Sequence, residues 1–233
     1  MRRNFVGFTL AEVLITLAII GVVSAMTLPT VISSYRDRAD VAKVKKAYSL
    51  IGQALNAAIA EHGDVTTWGS YNNAIDYLGE NLKVTKKYSR LYDLYGFNDF
   101  VSLMGLKTYN SMLVLAPGVM LNNGMVIGVV NAYYSEIKNV STRQYSFRII
   151  VDINGKNKPN RFGYDVFIFH VLLNNQLLTD IGYLERCTPN TDSSTDAHPN
   201  GESCGKWVIA KGNMDYKKCL NGNTKYCDIN YDK

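Results

Sequence analysis

The sequence lacks the short motifs around which many catalytic sites are built. It contains no phosphate-binding glycine loop, no G-x-S-x-G nucleophile motif and no H-E-x-x-H zinc motif. Its three histidines, His62, His170 and His198, lie far apart in the sequence, and each is interpreted as an ordinary core or surface residue. We therefore expect a protein without enzymatic activity.

A strong charge of either sign is also missing. The chain has 25 basic and 20 acidic residues, and two of the basic ones are Arg2 and Arg3 at the amino terminus. Such a mild balance does not indicate a nucleic-acid-binding protein. The hydrophobic content of 47% is typical of globular chains, and 233 residues suffice for one sizeable domain with a membrane or fibre element attached.

The cysteines form no C-x-x-C pair, and their spacing does not match a usual zinc finger. All four lie in a polar, loop-rich tail: Cys187, Cys204, Cys219 and Cys227. An even number of clustered cysteines in such a tail predicts disulfides, and hence a compartment outside the cytoplasm. We favour the pairs Cys187–Cys204 and Cys219–Cys227 because each closes a short loop, although four cysteines permit three connectivities.

Charged residues are absent between Val13 and Tyr35, and residues 8–28 are almost wholly apolar. About 20 apolar residues are enough for a helix that crosses a bilayer. Glu12 is the exception, because a carboxylate in the hydrocarbon costs roughly 2.5 to 3.5 kcal/mol and usually has a partner. A plain membrane anchor, or a signal peptide cleaved after the small residues 23–25, would leave Glu12 without a partner.

The run GFTLAEVLITLAIIG at residues 7–21 resembles the amino terminus of type IV prepilins and type II secretion pseudopilins. The resemblance implies that a prepilin peptidase cuts between Gly7 and Phe8 and methylates the new amine of Phe8. It places Glu12 at the acidic position of the family and Pro29 at its helix-loosening proline. In a filament, the Phe8 amine of one subunit would neutralise Glu12 of its neighbour, which offsets the cost of burying the carboxylate.

A simple count of basic residues disagrees with the orientation that this family adopts. Arginines and lysines at positions 36, 38, 43, 45 and 46 would favour a cytoplasmic carboxyl-terminal side. The leader resemblance and the cysteine-rich tail both require that side to be outside. We therefore expect a leader at residues 1–7, a transmembrane and assembly helix at 8–35, and a periplasmic or extracellular domain at 36–233.

Helical periodicity continues after Pro29 and predicts a helix that packs on this domain and ends near His62-Gly63. Its apolar stripe consists of Val41, Val44, Tyr48, Ile51, Leu55 and Ala58. Residues 73–83 and 84–95 also look helical. Strands are predicted at 112–116, 119–122, 125–130, 145–153 and 165–173, with a hairpin turn at Asn122-Asn123-Gly124. The predicted fold is α+β and type IV pilin-like, with the long helix packed on an antiparallel sheet and a disulfide-stapled tail.

The segment from Asp152 to Phe167 has the pattern D-x-N-G-x-x-x-P-N-x-x-G-x-D-x-F, which resembles a segment of pilin-like secretion subunits. We prefer to interpret it as a turn, because Asp and Asn side chains bond nearby backbone and its Gly and Pro residues set bends. In that case calcium dependence is weak or absent. The alternative is a calcium site, for which Asp152, Asn154 and Asp165 offer hard oxygen ligands. No other cofactor is expected.

The resemblance implies a structural subunit of a type II secretion pseudopilus or a type IV pilus. Its expected partners are other pilin or pseudopilin subunits, the prepilin peptidase, an assembly platform of the inner membrane and the lipid bilayer, but no nucleic acid. We expect a single-pass precursor in the bacterial inner membrane and then a place in the filament. One alternative is a minor tip pilin that acts as an adhesin or binds DNA through residues such as Lys86, Lys87 and Tyr88. Another is a conventionally secreted or anchored protein.

Overall fold

The computed structural model describes residues 7–96, 100–101, 103, 115–131, 145–179, 187 and 201–219. The chain divides into two compact units, residues 1–39 and 40–233. Helix α1, Leu10–His62, begins in the first unit and ends in the second. In the first unit the large apolar side chains of α1 are exposed, and the helix is long and apolar enough to cross a membrane. Pro29 lies inside α1 without ending it, although proline removes one helical hydrogen bond.

The second unit contains six antiparallel strands in the part of the chain that the structure describes, and each strand pairs with the next along the chain. The strands are β1 Val84–Tyr88, β2 Gly118–Leu121, β3 Val126–Asn131, β4 Tyr145–Asp152, β5 Val166–Leu172 and β6 Leu177–Leu178. The shorter helices are α2 Tyr71–Glu80, α3 Tyr92–Tyr95, α4 Cys204–Lys211 and α5 Tyr216–Cys219, with one 3-10 turn at Val65–Thr67.

One face of the sheet forms the main core with the second half of α1. Alternate residues of a strand point to the same face, so β4 contributes Phe147, Ile149 and Val151, and β5 contributes the residues that pair with them. The buried residues of α1 are Val41, Val44, Ala47, Ile51, Ala54, Leu55 and Ala58. This set contains every residue of the predicted stripe except Tyr48, which is only partly buried against the core, and it adds Ala47 and Ala54. The helix ends at His62, as predicted.

The opposite face of the sheet carries a smaller apolar cluster. Ile150 of β4 and Ile168 of β5 lie there with Leu91, Tyr95 and Phe162, which belong to the segments that cover this face. Both faces of the central strands are therefore buried, and any polar side chain on them needs an internal partner. Arg148 and His170 are such residues; they pair across β4 and β5, and both lie near the buried carboxylate of Glu202.

The structure confirms the predicted hairpin turn at residues 122–124, which joins β2 to β3 with Gly124 at a φ of +84°. The predicted helix at 84–95 is wrong for its first half, because Val84–Tyr88 is the edge strand β1 and only Tyr92–Tyr95 is helical. The predicted strand at 112–116 is wrong at its end, since Leu115 and Ala116 lie before β2, and residues 112–114 are outside the described part of the chain. Strand β6 was not predicted.

Candidate functional site

Thr9 and Glu12 form a capping box at the start of α1. Oε2 of Glu12 accepts hydrogen bonds from the N–H and the hydroxyl of Thr9, both at 2.8 Å. In return, the N–H of Glu12 donates to Oγ1 of Thr9 at 3.3 Å. Each side chain thus satisfies a backbone N–H that has no intrahelical partner. The pattern T-x-x-E in the sequence could have indicated this box, which is not among the predicted sites.

The predicted cleavage bond lies just before this capping box. Gly7 and Phe8 precede α1, both are exposed, and 89% of the Phe8 surface is accessible. A Cβ added to Gly7 would meet no atom within 4 Å. The bond between them is therefore sterically open in a non-helical segment, which is what a peptidase needs in order to bind an extended substrate.

The structure brings Asp152, Asn154 and Asp165 together, as the sequence pattern predicts. Asp152 ends β4 and Asp165 comes directly before β5. Because the two strands are antiparallel, with Asp152 opposite Val166, the turn brings Asp165 back beside Asp152. Asn154 contacts both carboxylates: its backbone N–H donates to Oδ1 of Asp152 at 3.0 Å, and its side-chain Nδ2 donates to Oδ2 of Asp165 at 3.0 Å.

Further donors hold both carboxylates in place. The hydroxyl of Tyr95 donates to Oδ2 of Asp152 at 2.9 Å, and the backbone N–H groups of Asn160 and Arg161 donate to Asp165 at 2.9 and 2.5 Å. These are the turn-forming bonds expected of Asp and Asn. They do not exclude a bound cation, so the calcium alternative is still untested.

Both carboxylates are buried, with only 2% of Asp152 and 3% of Asp165 exposed. Burial raises the pKa of Asp152 to about 8, because the charged form loses its hydration, and the neighbouring Asp165 carboxylate also raises it. Burial raises the pKa of Asp165 as well.

The carboxyl-terminal region contains a disulfide between Cys187 and Cys204. Its Cα atoms are 4.9 Å apart, and both cysteines are fully buried. This is one of the two favoured pairs. The other, Cys219–Cys227, lies outside the described residues, because only the backbone of Cys219 is described.

The remaining candidate residues have partners within the domain. Lys87 lies 2.8 Å from a carboxylate oxygen of Asp76, and the Lys86 ammonium lies over the Tyr88 ring. His62 lies at the end of α1, 2.7 Å from Glu80, and His170 is buried in β5. His198 lies outside the described residues. His62 and His170 therefore lie on different elements, which agrees with their wide separation in the sequence.

Comparison with known families gives two matches. The prokaryotic N-terminal methylation motif matches residues 2–28, which contain the Gly7–Phe8 bond and the Thr9–Glu12 capping box. A family of unknown function, DUF6613, matches residues 30–184, about two thirds of the chain. No curated protein matches the chain, and neither does any solved structure.

The methylation motif is the leader signature of type IV prepilins and pseudopilins. Together with the apolar first half of α1, it supports a single-pass precursor that is anchored in the inner membrane. The α+β fold, with a long helix on an antiparallel sheet, is that of a type IV pilin-like protein. The chain is therefore a type IV pilin-like precursor that belongs to the family of unknown function DUF6613.

Proposed function

We propose that this protein is a structural subunit of a type II secretion pseudopilus or a type IV pilus, and that it enters the filament through α1 after cleavage between Gly7 and Phe8. The main support is that the methylation motif covers the start of an exposed apolar helix whose first turn contains Glu12. Such a subunit works by assembly with other subunits and requires no catalytic group. Its further partners are the prepilin peptidase and an inner-membrane assembly platform.

The capping box suggests how Glu12 serves both the lone subunit and the filament. Only Oε2 accepts hydrogen bonds from Thr9, and Oε1 accepts none from the described residues. In the lone subunit the carboxylate caps its own helix. In the filament, Oε1 is available to the methylated amine of Phe8 on a neighbouring subunit. This pairing offsets the cost of burying both charges only when the subunits are in register.

Mass spectrometry of the amino terminus tests the processing step. Protein extracted from membranes should begin at a methylated Phe8, because the cleavage bond is exposed and lies within the matched motif. An amino terminus at Met26 would indicate ordinary secretion, and an intact Met1 would indicate a simple anchor. Either result would refute the proposal.

A pair of variants tests the assembly step. Glu12→Gln keeps the capping box, because Gln also serves at this helix position, but it removes the charge. Thr9→Val removes the capping hydroxyl and keeps the charge. We expect both variants to be processed and inserted, but only Glu12→Gln to be depleted from the sheared-filament fraction relative to the membrane pool. Glu12→Ala should behave like Glu12→Gln, and Glu12→Asp should be milder.

Two results would contradict the pairing of Glu12 with Phe8. Normal assembly of Glu12→Gln would show that the charge is not needed. Equal loss of assembly in Thr9→Val and Glu12→Gln would assign the effect to helix capping instead of to charge.

A further inference from the structure

Two glutamates converge on one histidine where helices α1 and α2 end. Oε2 of Glu80 lies 2.7 Å from Nε2 of His62, and Oε2 of Glu61 lies 3.9 Å from the same nitrogen. One ligand atom from each of the three residues lies within 4.8 Å of the other two. A protonated imidazole can balance only one of the two negative charges, whereas a divalent cation can balance both.

The ends of both helices add to the negative potential around this histidine. His62 is the last residue of α1, and Glu80 is the last residue of α2. The carboxyl-terminal end of a helix carries a partial negative charge, so it disfavours a carboxylate in the last turn and favours a cation. Glu61 and Glu80 both occupy such positions. The fold thus brings two unfavourably placed carboxylates together, and a bound cation would stabilise both.

Packing holds the imidazole of His62 in one orientation, whereas the glutamate side chains are free to adjust. The ring of His62 stacks on Tyr77, with centroids 3.8 Å apart and planes 11° from parallel. Tyr77 packs edge-on against the buried Trp68, whose Nε1 donates to the carbonyl oxygen of Gly63 at 3.0 Å. The histidine side chain is 26% exposed, and the two glutamate side chains are 57% and 50% exposed. A metal ion can therefore reach a fixed imidazole from solvent and draw two flexible carboxylates to it.

The distances between the ligand atoms are close to those of a tetrahedral metal site. Zn²⁺ binds His nitrogen and Glu oxygen atoms at about 2.0–2.2 Å, which places neighbouring ligand atoms about 3.3–3.6 Å apart. The contact of His62 with Glu80 is shorter than this, at 2.7 Å, and that with Glu61 is longer, at 3.9 Å. Shifts on the order of 1 Å in the exposed glutamate side chains would give the tetrahedral spacing. The ion would then take the place of the proton between His62 and Glu80.

We propose that Glu61, His62 and Glu80 bind one divalent transition-metal ion, and that Zn²⁺ is the ion they fit. An imidazole nitrogen suits Zn²⁺, whereas Ca²⁺ and Mg²⁺ prefer oxygen ligands. Three protein ligands leave the fourth tetrahedral position to a water molecule. The ion fastens the end of α1 to the end of α2, and this role does not depend on the proposed place of the protein in a filament.

Calorimetric titration of the full-length, tag-free protein in detergent tests the proposal. After removal of metal with EDTA and dialysis, the wild type should bind Zn²⁺, and excess Mg²⁺ should not displace it. Glu80→Gln keeps a hydrogen-bonding partner for His62 but removes one charged ligand, and Glu61→Gln removes the other. Each should weaken Zn²⁺ binding by at least about tenfold, since even the loss of an outer-shell partner costs that much. His62→Gln should weaken it at least as strongly.

Two variants serve as matched controls. Asp93→Asn removes an exposed carboxylate on α3 that is paired with Arg90, and His198→Ala removes a histidine of the carboxyl-terminal tail. Both should keep the wild-type affinity. Thermal unfolding gives a second readout, because an ion that binds the folded state stabilises it. Zn²⁺ should raise the melting temperature of the wild type and of both controls, but not that of Glu80→Gln.

Three results would overturn the proposal. Absence of Zn²⁺ binding by the wild type would refute the site itself. Unchanged affinity in Glu80→Gln would show that the two helix ends do not share the ion. A loss of affinity in His198→Ala as large as that in His62→Gln would assign the ion to the carboxyl-terminal tail.

Discussion

At the scale of single residues, a pair of glycines determines how closely the sheet is covered on its second face. Gly118 of β2 and Gly128 of β3 are direct partners across the two strands. Leu91, which is 1% exposed, lies over both. A Cβ at Gly128 would lie 2.6 Å from Cδ1 of Leu91, and a Cβ at Gly118 would also overlap Leu91. Because Gly118 and Gly128 have no side chains, they leave a notch in the sheet surface, and the Leu91 side chain packs into this notch.

Substitution at this notch should be destabilising and non-additive. Gly128→Ala should lower the free energy of unfolding by about 1–3 kcal/mol, because Leu91 must move within a packed cluster. Leu91→Ala should cost about 2–5 kcal/mol through the cavity that it leaves. The double variant should lose less than the sum of the two, since a shortened residue 91 leaves room for the new methyl group. Denaturant unfolding of the three variants measures this, and strict additivity would contradict the contact.

At the scale of secondary structure, local periodicity explains which elements the sequence predicts. The α1 stripe was predictable because Val44, Ile51 and Leu55 recur with helical spacing over several turns. Ala47 and Ala54 were missed because alanine carries a weak hydrophobic signal, although both are buried. Strand β1 was missed because an edge strand has little apolar alternation, and its partner β2 lies far along the chain.

The buried alanines of α1 indicate that this helix packs tightly in the main core, which a pair of substitutions can test. Ala58 is 0% exposed in the main core, whereas Ala60 lies on the exposed side of the same helix. Ala58→Leu should lower the free energy of unfolding by about 1–3 kcal/mol because it overfills the core. Ala60→Leu should change it by less than about 0.5 kcal/mol, as exposed substitutions usually do. Equal effects of the two would show that this face of α1 is not packed.

At the scale of the whole molecule, the processing site was more predictable than the surroundings of Asp152 and Asp165. The leader and Glu12 follow from one continuous segment, and so do the oxygen ligands between residues 152 and 165. The contact of Tyr95 with Asp152 joins residues 57 positions apart, and the apolar cluster that contains Tyr95 draws on segments from Leu91 to Ile168. No local pattern carries that information.

The last prediction concerns the disulfides, which fasten the end of the chain to the sheet. Cys204 begins α4 and is buried in the main core, and a Cβ at Gly163 would lie 2.9 Å from its sulfur. Cys187–Cys204 therefore joins the segment after β6 to a helix that packs on β5. Non-reducing peptide mapping of protein from its native compartment should link these two cysteines and also Cys219 with Cys227, and should find no free thiol.

Loss of the buried bridge should cost about 2–4 kcal/mol in the free energy of unfolding, because closing the loop restricts the unfolded chain. Denaturant unfolding of the double variant Cys187→Ala/Cys204→Ala should show this loss. A reductant should then lower its free energy of unfolding by less than it lowers that of the wild type. Cys219→Ala/Cys227→Ala is the comparison, and we expect a smaller loss because it closes a shorter loop. Four alkylatable cysteines in the native protein would refute both pairings, and would also remove the support that the tail gives for a location outside the cytoplasm.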